Sequence, residues 1–242
     1  MSNGKSKKVK DTKQQFEYVE EPQKFHVKPL KCMNAKQKEF VKAVNDHEVT
    51  IVSGIAGCGK TYLACAIALK MLEKKKIDKI ILVKSVTEIP GEELGFRPGT
   101  EYEKISVFMM SYFGNIDKII GHDQRKALVN EGKIQLQPLS TIRGVQFDKS
   151  FVIIDECQNI TMDTFKSIIT RIGQDSIYCI MGDTEQVDLK NKKNSALIKI
   201  MEIFKDDPLI GIVEFTDTDC VRNKIITPIL NKLRSYEESK GT

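Results

Sequence analysis

The stretch GIAGCGKT, Gly54 to Thr61, decides how the rest of the chain is read. Glycines at 54, 57 and 59 let backbone amides turn inward around an anion that side chains would block. Lys60 is placed to reach the β- and γ-phosphates of a nucleotide, and Thr61 to offer a hydroxyl to Mg2+. The flanks agree with that reading. EVTIVSG, residues 48–54, is a short apolar run leading straight into the loop, and TYLACAIALKMLEKKK, residues 61–76, is a helix apolar on most faces. A helix starting there aims its positive end at the anion.

The same alternation continues along the chain. NAKQKEFVKAVNDH has Phe40, Val41 and Val44 at helical spacing, with Asn34 as a cap. KIILVKS, KIQLQPL, FVIID, SIYCIMG and LIGIVEF read as further strands. Between and after them TMDTFKSIITRI, NSALIKIMEIFK and VRNKIITPILNKLRSYEE read as helices, as does 101–131, with an apolar face from Ile105, Phe108, Met109 and Tyr112. Residues 85–100, rich in Gly, Pro and Glu, form a long loop. Strand and helix in alternation predict an α/β fold: a mostly parallel sheet with helices on both faces. The expected organisation is a basic, flexible tail over residues 1–30 and a single domain over 31–242.

In such a sheet the ligand lies at the carboxyl ends of the strands, so the polar residues that follow apolar runs carry the chemistry. FVIIDECQN ends four apolar residues in the adjacent carboxylates Asp155 and Glu156. Burying unpaired charge is costly, so the pair suits Asp155 as a Mg2+ ligand and Glu156 as the base facing an attacking water. The alternative is a helix N-cap pair after the strand. MGDTEQVD places Asp183 and Gln186 three apart, either as a γ-phosphate sensor or as a turn closed by the aspartate. Arg222, in FTDTDCVRNK, either completes a phosphate site, its own or a neighbour's, or pairs with Asp217 or Asp219 at the surface.

The bulk composition excludes several classes. No apolar run approaches the roughly 20 residues of a membrane span, and MSNGKSKKVKDTK lacks the apolar core of a secretory signal. Six scattered cysteines include no C-x-x-C pair, which argues for free thiols in a reducing cytoplasm. Of the net charge of +5, residues 1–13 supply five lysines against one aspartate, so the body is close to neutral. That tail either adds salt-sensitive affinity for nucleic acid or is only solvated. The cluster KNKKN, Lys190 to Asn194, carries the same ambiguity. Only six arginines stand against 32 lysines, so the place of each one matters, because the planar fork of arginine suits phosphate better than lysine does.

Together these segments resemble the PhoH-like family of P-loop ATPases, related to the first motor domain of superfamily 1 helicases. GIAGCGKT and DECQN match the family pattern, and GEELGFRPGTEYEKI, Gly91 to Ile105, resembles its GE-x-LGF-x-PG segment. MGDTEQVD is similar to the helicase GD-x-x-Q motif and DCVRN to the family's D-V-V-R-H. The resemblance implies a RecA-like P-loop fold binding ATP and Mg2+. Gln37 in NAKQ would read adenine. Gln37 with Gly54, Ile55, Ala56, Gly57, Cys58, Gly59, Lys60, Thr61 and Tyr62 would hold ATP. Thr61 and Asp155 would hold the metal, and Lys60, Glu156, Gln186, Arg222 and Arg143 would serve turnover.

The chain departs from the family pattern at three points. Lys84-Ser85 stands where the family commonly has arginine-proline, Val145 where it has a second arginine, and Asn223 where it has histidine. The lysine richness suits a bacteriophage or divergent bacterial member. With about 30 residues before the ATPase core, no fused RNase domain is expected. The resemblance implies ATP hydrolysis coupled to single-stranded RNA or DNA. One motor-type domain lacks the second surface that closes over ATP, so a homo-oligomeric ring, six subunits by resemblance, would use Arg222 or Arg143 of a neighbour. The competing reading is an ATP-regulated switch or assembly module for a protein partner. Phe96 and Tyr102 are either base-stacking residues or packing anchors of their loop.

Overall fold

The computed structural model describes residues 25–84, 109–184, 186–187, 195–221, 228–229, 232 and 235–236. Six strands form one sheet: β1 (Val49–Ser53), β2 (Lys79–Lys84), β3 (Ile134–Pro138), β4 (Ser150–Asp155), β5 (Ile177–Gly182) and β6 (Gly211–Glu214). Their order is β3-β2-β4-β5-β1-β6, and every pairing is parallel. All six match segments that the sequence marks as strands.

Successive side chains in a strand face opposite sides of the sheet, and here both sides are covered. Val52, Ile80, Leu82, Phe151, Ile153, Cys179 and Met181 join one apolar cluster. Their alternates, Ile51, Ile81, Val83, Val152, Ile154, Tyr178 and Ile180, join the other. Burial on both faces is why these strands are unbroken apolar runs rather than alternating ones.

The first cluster is closed by α1 (Ala35–Asp46), α2 (Lys60–Glu73) and α3 (Met110–Ile120). Asn34 caps α1, its Oδ1 accepting from the Gln37 N–H at 2.8 Å, and Phe40 meets Phe215 edge to face, ring centroids 6.1 Å apart. In α2 the run from Leu63 to Leu69 is wholly buried, because the helix lies against the sheet and is covered by α1 and α3. Tyr112 of α3 is fully buried and spends its hydroxyl on the Val83 carbonyl at 2.7 Å. The second cluster takes Phe165 and Ile168 from α5 (Met162–Ile169), and Ala196, Leu197 and Ile200 from α6 (Ala196–Ile203).

The helix expected over 101–131 is two helices in its described part. α3 ends at Ile120 and α4 (His122–Asn130) begins two residues later. Gly121 between them has φ +90° and ψ 158°, outside the range open to other residues. The corner is held by Arg125, which bonds Asp117 through Nε at 2.5 Å and lies over the Phe113 ring at 4.4 Å. Residues 101–108, with Tyr102, Ile105 and Phe108, lie outside the described residues, as do the 85–100 loop with Phe96, the 190–194 cluster and residues 1–13. Val27, within the 1–30 stretch expected as a flexible tail, is buried against α2 and donates its N–H to Glu73 Oε1 at 3.0 Å.

Candidate active site

Three strand ends converge. β1 runs into the glycine loop, β4 ends in Asp155-Glu156, and β5, paired between them, ends at Gly182-Asp183. Gly54, Gly57 and Gly59 have φ of 145°, 102° and 86°. At Gly54 the need for glycine is steric as well: a Cβ would lie 2.5 Å from Phe215 Cβ and 2.9 Å from its carbonyl oxygen. Gly59, the N-cap of α2, has no side chain with which to cap the first turn, so it does not compete for the amide donors there.

These residues border a cavity of about 700 Å³, within the roughly 300–1,000 Å³ of small-molecule sites. Gln37, Ala56, Gly57, Gly59, Lys60, Thr61, Tyr62, Asp155, Glu156, Asp183 and Gln186 all reach it. Lys60 donates to the carbonyls of Gly54 and, at 3.0 Å, Ile55. Thr61 Oγ1 donates to Asp155 Oδ2 at 2.9 Å, joining groups 94 residues apart. The other oxygen, Oδ1, accepts from the Glu156 N–H at 3.0 Å. Burial raises the Asp155 pKa above its usual range, and the neighbouring charge of Glu156 adds to the rise. A buried carboxylate under such pressure, beside a hydroxyl, suits a divalent cation.

Glu156 is left-handed, with φ 61°, an uncommon state for a residue with a side chain. Its side chain is 43% exposed, and the carboxylate is approached from two sides. Gln158 Nε2 donates to Oε2 at 3.0 Å, and Lys84 Nζ stands 3.9 Å from Oε1. Glu156 stands at the N-cap position of a 3-10 turn, Cys157–Asn159, but its side chain makes no capping bond there, and the α-helix that follows is capped by Thr161, its hydroxyl accepting from the Thr164 N–H. At the end of β5 the turn is closed by the backbone carbonyl of Asp183, which accepts from the Gln186 N–H at 3.1 Å.

Gln37 is also fixed from behind, whereas Cys58, Gly54 and Ile55 are not among the residues that border this cavity. Gln37 is buried, its Oε1 accepting from the Met33 N–H at 2.7 Å and its Nε2 donating to the Cys58 carbonyl at 3.0 Å. The Cys58 side chain is fully buried, and burial pushes its pKa up to about 11. Gly54 and Ile55 border a separate cavity with Thr184, Glu214 and residues 215–218. Arg143 belongs to a 3-10 turn, Leu139–Gly144, after edge strand β3. Four strand steps separate β3 from β1, roughly 19 Å, which places its backbone far from the glycine loop of its own chain. Arg222 lies outside the described residues. Its predecessor Val221 borders the cavity and donates its N–H to the Gly57 carbonyl at 3.3 Å.

Two features had no counterpart in the sequence reading. Residues 215–221 strap the glycine loop: Phe215 N–H bonds the Ser53 carbonyl at 2.9 Å, and Asn34 Nδ2 donates to the Asp219 carbonyl at 3.1 Å. Gln158 is buried and links Glu156 to the β5 turn, its Oε1 accepting from the Asp183 N–H at 3.3 Å. The only sequence signal for it was its place in DECQN. Among the described residues no helix is long and apolar enough to cross a membrane.

Comparison with known proteins agrees with this geometry. The large terminase of a thermophilic bacteriophage shares the fold, with a TM-score of 0.51 at 10% identity over 79% of this chain and 48% of that one. The PhoH-like protein of Mycobacterium bovis is 34% identical over 211 residues, 87% of this chain and 60% of the relative. Protein PhoH of Escherichia coli strain K12 is 32% identical over 199 residues, 81% of this chain and 56% of the relative. The chain thus spans 56–60% of the length of these curated relatives. The family model described as PhoH-like protein matches residues 29–234. A P-loop strand-to-helix turn facing a carboxylate pair, in a chain matched over most of its length, is therefore that of a member of the PhoH-like family.

Proposed function

We propose that the chain binds ATP with Mg2+ and hydrolyses it in the cytoplasm, coupling turnover to single-stranded RNA or DNA as a homo-oligomer. The observation that carries the reading is the Thr61–Asp155 hydrogen bond at the floor of the glycine-loop cavity. It brings together the two groups that would hold Mg2+, which when bound would neutralise charge on the phosphates. Lys60 and the amides of residues 57–61 bind the phosphate chain. The Glu156 carboxylate accepts a proton from water as the water's electron pair forms the new bond to phosphorus and the bond to the bridging oxygen breaks. Gln186 senses the γ-phosphate from the β5 turn. Gln37 keeps one amide hydrogen and one lone pair beyond the bonds described, enough for two contacts to adenine. Arg222, or Arg143 from its distant edge, serves a neighbouring subunit's ATP in a ring, six-membered by resemblance.

The test is ATP hydrolysis with and without single-stranded RNA and DNA, at roughly 50 and 200 mM salt, beside Glu156→Gln. Stimulation that weakens at higher salt and vanishes in the variant supports the reading. Turnover indifferent to polynucleotide but lost in the variant assigns an ATP-timed switch acting on a protein partner. Full turnover in the variant refutes hydrolysis at this site.

A further inference from the structure

Resting on the reading of Glu156 as the base, we infer that Gln158 is the positioning residue that sets the direction of its carboxylate and ties it to the β5 turn. Gln158 is only 5% exposed, and its amide is engaged at both its oxygen and its nitrogen. The Asp183 N–H can only donate, so it must face Oε1, at 3.3 Å. That fixes the amide orientation and leaves Nε2 to donate to Glu156 Oε2 at 3.0 Å.

The mount behind that amide is rigid. The Gln158 carbonyl accepts from Ser195 Oγ at 2.8 Å, and two residues on the Ile160 carbonyl accepts from the Ala196 N–H at 3.0 Å. Gly182 is pressed against the same residue: a Cβ there would lie 2.9 Å from Gln158 N and 3.2 Å from its Oε1. Glu156, by contrast, has a half-exposed side chain, 43% accessible, whose staggered rotamers would differ little in packing without that bond. A buried donor held by its surroundings and bonded to a half-exposed acceptor selects one carboxylate orientation. The donor hangs from Asp183, the residue whose carbonyl closes the turn carrying Gln186. Displacement of that turn therefore alters the base as well.

A hydrogen bond to a charged group lost from the reacting geometry is worth on the order of 10- to 100-fold in turnover. Gln158→Ala removes both bonds. Gln158→Met fills a similar volume with neither donor nor acceptor, so it preserves the packing and abolishes the positioning. The measurement is kcat and KM for ATP in both variants, with a fluorescent ATP analogue reporting binding and Glu156→Gln run alongside. Expected are a kcat at least about 10-fold lower in both, with nucleotide affinity within about 3-fold of the parent. Turnover near the parent's in either Gln158 variant, while Glu156→Gln is inactive, overturns the role of Gln158 and leaves the base reading intact. Loss of analogue binding in both variants assigns Gln158 to the fold and also overturns it. Full activity in Glu156→Gln overturns the base reading on which the inference rests.

Discussion

Replacing Gly54 by alanine tests how the glycine loop is built, independently of what it binds. The added Cβ meets Phe215 Cβ at 2.5 Å and the Phe215 carbonyl at 2.9 Å. Neither contact is the free end of a side chain. Phe215 is tied to β1 through its N–H bond to Ser53, and its ring is packed on Phe40. The strap must therefore shift as a unit. A backbone held where L residues rarely go costs about 1–3 kcal/mol, and overpacking a close contact adds about 1–3 kcal/mol. The sum, on the order of 4 kcal/mol, corresponds to roughly 8–16 °C in the melting temperature of a chain this size. Gly121→Ala is the matched control, since its φ is also positive, at +90°, but nothing lies within 4 Å of the new Cβ. It should lose only the backbone part, about 2 kcal/mol. Urea unfolding followed by circular dichroism measures both, with the m-value checked for constancy. Equal losses, or a smaller loss at Gly54, would refute the steric argument that Phe215 seals the back of the loop.

Two further outcomes are expected. Burial, then the charge of Glu156, raises the Asp155 pKa, so the folded state holds more protons than the unfolded one at pH values above the ordinary 3.8. Stability from this group therefore falls as pH rises through that window and stays reduced above it. Without nucleotide or Mg2+, Asp155→Asn should melt higher than the parent at neutral pH, the gap closing toward pH about 4; a lower melting temperature at neutral pH would contradict the burial argument. Tyr112→Phe deletes the 2.7 Å bond to the Val83 carbonyl in a fully buried site and should lower stability by about 1–3 kcal/mol. The urea midpoint reports it, with nucleotide affinity unchanged, and an unaltered midpoint would show that the carbonyl finds another donor.

Local pattern carried much of the fold. FVIID and KIILV were visible because a sheet covered on both faces demands apolar residues at nearly every position, whereas β3, IQLQP, alternates apolar residues with half-buried glutamines. GIAGCGKT and DECQN named the chemistry because glycines, a lysine and paired acids at strand ends are costly without a ligand to justify them. Gly121, which breaks the helix expected over 101–131, was legible as a glycine but not as a corner. Its role depends on Arg125 and Asp117 meeting across it.

What only the tertiary structure decided are the contacts between segments remote in sequence. Insertion of β5 between β1 and β4 sets the spacing of the glycine loop from the carboxylates, and no single segment encodes a sheet order. The Thr61–Asp155 bond spans 94 residues, and Asn34 reaches Asp219 across 185. Gln158 looked like one polar residue in a motif until folding placed Asp183 on one side of its amide and Glu156 on the other. By itself the sequence determined which groups sit at strand ends, because period and polarity are local properties. Their partners depended on the order of strands in the sheet, because a hydrogen bond is set by position in space and not by distance along the chain.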